Sequence, residues 1–94
     1  MKAILLAVLL GASATAAADA CKMTGDIAEK MMMARQLGVS MQSVMAAAES
    51  PLRKAMVMDA YEVPRYATDE FQKRKAQDFR DKWYMSCYKS SQDS

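Results

Sequence analysis

Two cysteines constrain this chain more than any other feature. Cys21 and Cys87 lie 66 positions apart, and the sequence contains no others. With two thiols only one intramolecular pairing exists. That bond would tie the first segment after residue 20 to the last. In the chain-entropy picture, closing a loop of this length stabilises a fold by about 4 kcal/mol. Two other fates stay open: a bridge between two molecules, or acylation of Cys21 that leaves Cys87 alone.

The compartment follows from what precedes Cys21. Lys2 supplies a short positive start, and Ala3-Ile4-Leu5-Leu6-Ala7-Val8-Leu9-Leu10 is an apolar run. Gly11 to Ala20 is small and nearly uncharged. These are the three parts of a secretory leader. Ala16-Ala17-Ala18 places cleavage before Asp19, and Ala18-Asp19-Ala20 places it before Cys21. The first is preferred, giving a leader over 1–18 and one domain over 19–94. The apolar run falls well short of the ~20 residues of a membrane-spanning helix. The expected location is therefore the periplasm or the exterior, where disulfides persist. No stable membrane insertion is expected after cleavage.

Cleavage leaves 76 residues, a size at which a single core is marginal and a covalent staple is a common remedy. Losing Lys2 reduces 13 basic groups to 12 against 11 acidic ones. A net charge near +1 gives no electrostatic footprint for nucleic acid.

The remaining pattern is helical. Thr24 and Asp26 are candidate N-caps, with Asp26 and Glu29 spaced as a capping box. Met23, Ile27, Met31 and Ala34 recur at helical spacing up to Leu37, and Gly38 stands where a left-handed C-cap belongs. Ser40 caps a second helix over 41–49, with Met41, Val44, Met45 and Ala48 as its apolar stripe. Ser50-Pro51 restarts the chain into a third helix with Leu52, Ala55, Met56 and Ala60 inward, ended near Glu62 by Pro64. Thr68 caps the last and longest helix. Gln72, Ala76, Phe79, Trp83 and Cys87 share one side of it. The expected fold is all-α, a small bundle of about four helices clamped by one N-to-C-terminal disulfide.

No histidine is present, which removes the usual general base and the commonest metal ligand. No nucleophile elbow or phosphate-binding glycine loop occurs. The chain reads as non-enzymatic, with no cofactor and no metal site. Its nine methionines after Met1 fit flexible core filler first. Exposed, they would form an adaptable partner surface, or soft thioether ligands for Cu(I). The best candidate for recognition is Tyr61-Glu62-Val63-Pro64-Arg65-Tyr66, a helix connection stiffened by proline and carrying Tyr61, Arg65 and Tyr66. Arg35-Gln36, before Gly38, is a second polar cluster, and Arg35 could equally bond carbonyls of its own or a neighbouring helix. The bland alternative is that both tyrosines cover the edge of the core.

Early Cys21, the elbow Met33-Ala34-Arg35-Gln36-Leu37-Gly38-Val39-Ser40, the helix end Ala60-Tyr61-Glu62-Val63-Pro64 and the segment from Phe79 to Cys87 together resemble a group of uncharacterised small exported helical proteins from proteobacteria and their phages or prophages. That resemblance implies a helical exported protein and no particular activity. A looser similarity extends to small disulfide-bridged periplasmic chaperones of acid stress, and to exported phage proteins that block lysozyme or superinfection. The expected function is a protein-binding module, an inhibitor or accessory factor for an unknown protein partner in the cell envelope. An acid-stress chaperone and a methionine-rich Cu(I)-binding protein are the alternatives.

Overall fold

Four helices follow one another in the computed structural model: α1 (Lys2–Gln36), α2 (Met41–Ala47), α3 (Pro51–Tyr61) and α4 (Asp69–Asp93). The structure describes the backbone over 2–93 and side chains over 18–92. The expected leader therefore falls, but for Ala18, outside the residues whose side chains are described. Among the described residues no helix is long and apolar enough to cross a membrane.

The punctuation residues act as their chemistry dictates. The Ser40 hydroxyl accepts from the Ser43 N–H at 3.1 Å, and that of Ser50 accepts from the Arg53 N–H at 3.1 Å with Pro51 in the first turn. Thr68 does the same for Phe71 at 3.3 Å. Each cap satisfies one N–H that has no partner within its own helix. At the end of α1, Gly38 takes a φ of 85°. The Gly38 N–H then bonds Arg35 O at 3.2 Å, and the Val39 N–H bonds Ala34 O at 3.0 Å. This paired closure reverses the chain and needs a residue free of a Cβ at the left-handed position.

The start of α1 departs from expectation. Thr24 and Asp26 lie inside the helix rather than at its cap. The Thr24 hydroxyl bonds back to Ala20 O at 3.2 Å, and Asp26 pairs with Lys22 at 3.5 Å. An alanine-rich stretch upstream continues the helix through both positions, so neither has a free N–H to cap.

α1 and α4 run antiparallel and form the main layer, with α3 packed against α1 and α2 lying on α3. Their register is fixed at three heights. Cys21 and Cys87 are disulfide-bonded with Cα atoms 5.4 Å apart. Gly25 faces Arg80, where a Cβ would come within 3.2 Å of the Arg80 carbonyl oxygen, so the helices approach closely. Glu29 and Arg80 form an ion pair at 2.9 Å. α3 is held to α4 by Asp59, whose Oδ2 accepts from Lys82 Nζ at 2.7 Å and Trp83 Nε1 at 3.0 Å.

The core contains Ala28, Met31, Met32, Ala48, Met56, Val57, Ala60, Ala76 and Phe79. Met32 and Met56 are its largest fully buried apolar members, each 1% exposed. Burying such a side chain contributes about 1.5–3 kcal/mol. Of the expected inner faces, Met31 in α1 and Met56 and Ala60 in α3 are buried, but the first residue of each stripe is not. Met23 is 63% exposed while Cys21, Ala28 and Met32 are buried in α1. Leu52 is 53% exposed while Val57 is buried in α3. Small residues and the disulfide, rather than the bulkiest apolar side chains, set the face of α1 that meets α4. Of the expected stripe on α2 only Ala48, its C-cap, is buried; α2 itself buries none of its residues.

A core this small makes the staple decisive. Replacing Cys21 and Cys87 by serine is expected to cost about 4 kcal/mol in chemical denaturation. The same loss should appear when the wild type is reduced with dithiothreitol, and a midpoint unmoved by reduction would contradict it.

Candidate functional site

Gln36 ends α1 and is fully buried, at 0% exposure. Its amide is completely used. Nε2 donates to Pro64 O at 2.9 Å and to Met32 Sδ at 3.6 Å, while Oε1 accepts from the Tyr66 N–H at 2.8 Å. The side chain thus grips the peptide groups on both sides of Arg65, as a neighbouring strand would. Arg65 answers in the other direction. Its Nε donates to Gln36 O at 3.2 Å, one of the carbonyls that the end of α1 leaves without a helical partner. Its guanidinium lies over Gly38, so that a Cβ there would meet it at 3.1 Å.

The rest of the α3–α4 connection is held in the same way. Arg35 Nε donates to Val63 O at 2.9 Å, and its guanidinium sits 5.2 Å from the centre of the Tyr61 ring. The Tyr61 hydroxyl donates to Val39 O at 2.6 Å, and Gln72 Nε2 donates to Tyr66 O at 2.8 Å. Pro64 has no N–H to satisfy. Side chains from α1 and α4 therefore supply the hydrogen bonds that a connection of this length cannot make with itself. Among the described residues no buried side-chain nitrogen or oxygen lacks a partner.

All five residues singled out from sequence, Arg35, Gln36, Tyr61, Arg65 and Tyr66, meet at this one elbow. The two polar clusters read separately are two halves of a single buckle. Gln36 is placed to hold the surface, not to form it. The two tyrosines point different ways. Tyr61 closes the α1–α2 turn, whereas the Tyr66 ring stacks on Phe71 at 6.2 Å with Lys75 Nζ 5.4 Å from its centre. Burial raises the Tyr61 phenol above its ordinary value of 10.0, opposed in part by the nearby Arg35 cation.

What the buckle presents is apolar. Leu37 is 65% exposed, Val39 43% and Met41 39%. Met41 and Met45, one helical turn apart, line an open cavity of about 620 Å³ with Gln42, Ala46 and Lys54. These residues were not singled out as a site. Their signal is an apolar series that continues across Gly38, where a solvent-facing turn would ordinarily be polar. At the opposite end of the bundle a second cavity, about 340 Å³, lies beside the disulfide and is lined by Thr24, Leu52, Trp83 and Ser86. Among the described residues no cluster of three His, Cys, Asp or Glu side chains is placed to hold a metal ion.

Two outcomes follow from the buckle. Gln36→Leu keeps the volume but strands Pro64 O and the Tyr66 N–H, which is expected to cost about 2–3 kcal/mol in urea denaturation. A change within 0.5 kcal/mol would show that water takes over both bonds. For Tyr61 the folded state holds the phenolic proton more tightly than the unfolded chain. Its stabilising contribution is therefore complete below pH 10 and is lost as pH rises through the raised value. Ultraviolet titration should show one phenol ionising above pH 10 that is missing from Tyr61→Phe.

Comparison with protein-family models, with curated proteins and with solved structures finds no match to the chain.

Proposed function

We propose that this chain is a small exported, non-enzymatic protein that binds a protein partner of the cell envelope through the elbow joining α1 to α2. One observation carries the reading. Leu37, Val39 and Met41 stand exposed in succession on a turn whose backbone is fixed by Arg65, bonded to Gln36 O, and by Tyr61, bonded to Val39 O. Exposed apolar side chains cost solubility unless something covers them. A turn held rigid before binding loses little entropy on binding, so its contacts convert efficiently into affinity. Arg35, Tyr61 and Arg65 border this edge, and arginine and tyrosine are the residue types most often found at the energetic centre of interfaces.

Export is supported by the disulfide, since the Cys21–Cys87 bond belongs to an oxidising compartment. Removal of 1–18 leaves the disulfide, the core and the whole buckle in place.

The test uses tagged protein exported to a bacterial periplasm, as wild type and as the double variant Val39→Glu, Met41→Glu. Both side chains are exposed, so helix content and the disulfide should be unchanged. Crosslinking followed by mass spectrometry should recover a discrete envelope protein with the wild type and at least tenfold less with the variant. Equal recovery by the two proteins would reject the elbow as the binding surface.

A further inference from the structure

Resting on that reading, we infer that the occupant of the elbow is an acidic amphipathic segment of the partner protein, its apolar side chains entering the α2 groove and its carboxylates meeting the cations around it. α2 is a seven-residue helix that buries none of its own residues, and it is flanked by grooves on both sides. Met41, Met45 and Lys54 line the larger groove. Ile27, Met31, Val44, Lys30 and Arg53 line the other, about 240 Å³ in volume. Both are apolar-floored and each has lysine or arginine in its wall.

The charge around them is lopsided. Lys30, Arg53, Lys54 and Arg65 border α2 and its elbow, with Arg35 behind Tyr61. The acidic residues of the same region are Glu49 and Glu62. Glu49 pairs with Arg53 at 4.0 Å, the longest of the ion pairs among the described residues. Among the described residues Lys30, Lys54 and Arg65 make no ion pair at all. Elsewhere cations and carboxylates are more evenly matched: Arg80 is paired by Glu29 and Asp81, Lys82 by Asp59, Arg74 by Glu70 and Lys22 by Asp26, while Lys73, Lys75 and Lys89, which make no ion pair among the described residues, share α4 with Asp69, Glu70, Asp78 and Asp81. Cations outnumber carboxylates where the apolar surface is exposed.

A helix laid in a methionine-lined groove is a recurrent mode of peptide recognition, and thioether side chains re-pack around whatever enters. Flanking cations then select carboxylate-bearing partners, chiefly by accelerating encounter and by rejecting basic ones. An anionic lipid surface would also attract the cations. It is the poorer fit, because Val44 and Met45 lie half-buried in groove walls, where an entering side chain reaches them and a flat surface does not.

The probe is a fluorescein-labelled amphipathic peptide of about 14 residues, near the length at which isolated helices become stable. Leucine forms one face and glutamate the other. Controls are the same peptide with lysine for glutamate, and a scrambled glutamate peptide. Anisotropy is read against the mature, disulfide-bonded protein at low and high salt. The glutamate peptide is expected to bind at least tenfold more tightly than either control and to weaken as salt screens the charges. In Lys30→Glu, Lys54→Glu, where neither side chain makes a hydrogen bond or ion pair in the fold, the preference should reverse toward the lysine peptide. Equal binding of the glutamate and lysine peptides would overturn the acidic partner while leaving partner binding at the elbow intact. Failure of the glutamate peptide to bind, or preferential binding of the protein to phosphatidylglycerol vesicles, would overturn it as well.

Discussion

A buried glutamine amide holds together the end of this bundle that no covalent bond reaches. The Cys21–Cys87 bond secures one end of the α1–α4 pair, and Gln36 secures the other through Pro64 and Tyr66. Between them the two helices keep one register, with Gly25 against Arg80 and Glu29 paired to the same arginine. A slip of one turn would break the disulfide geometry and strip the Gln36 amide of its partners at once. Because a buried amide is costly when unpaired, Gln36 penalises alternative registers as well as stabilising the native one. This is a polar core residue acting as a specifier of structure.

The two fastenings answer different problems. A chain of this size has few large apolar side chains to bury, and its core relies on Met32, Met56, Val57 and Phe79 packed among alanines. The disulfide restricts the unfolded ensemble and so compensates for a small core. It does nothing for the connection over 62–68, which is too short to form secondary structure and too long to be satisfied by helix caps alone. That segment is fixed by side chains from two helices, Arg35 and Gln36 of α1 and Gln72 of α4. The sequence thus spends its long polar side chains on backbone carbonyls at one end of the molecule. The surface ion pairs along α1 and α4 are solvent-screened and add little.

Much of the fold was legible because it rests on local chemistry. Ser40, Ser50-Pro51, Thr68, Gly38 and Pro64 each mark a helix boundary by a rule that needs no tertiary information, and each boundary falls within a few residues of its expected place. What resisted reading was the start of each stripe, and polarity. Hydrophobicity puts Met23, Ile27, Met31 and Ala34 on the inner face of α1; Met31 is buried and Ile27 packs on the core, but Met23 is exposed because close helix contact selects Gly25 and Ala28, where small side chains permit approach. In α3 Met56 and Ala60 are buried as expected and Val57 joins them, whereas Leu52 is exposed because it sits in the first turn, at the edge of the cleft beside the disulfide. Gln36 was found as part of a polar cluster but not as a buried residue, since no pattern rule places an amide in a core. The five candidate residues were chosen for their chemistry as two separate groups. Their union at one elbow is a tertiary fact that only the register of α1 against the α3–α4 connection produces.

The same register explains why rigidity and exposure coincide at the elbow. Gly38 must adopt a left-handed conformation to end α1, and Arg65 packs directly over it, so the turn has no side chain of its own to shield its neighbours. Leu37 and Val39 are therefore thrown outward on either side of a fixed point. α2 follows immediately and is too short to fold them back. Burying Leu37 and Val39 within the molecule would require a longer α2 or a bulkier residue at 38. The first would displace the Ser50 cap of α3, and the second would strain the backbone at positive φ and expel Arg65 from Gln36 O. The exposed apolar edge is thus a direct consequence of how α1 is terminated, and the geometry that exposes it also holds it still.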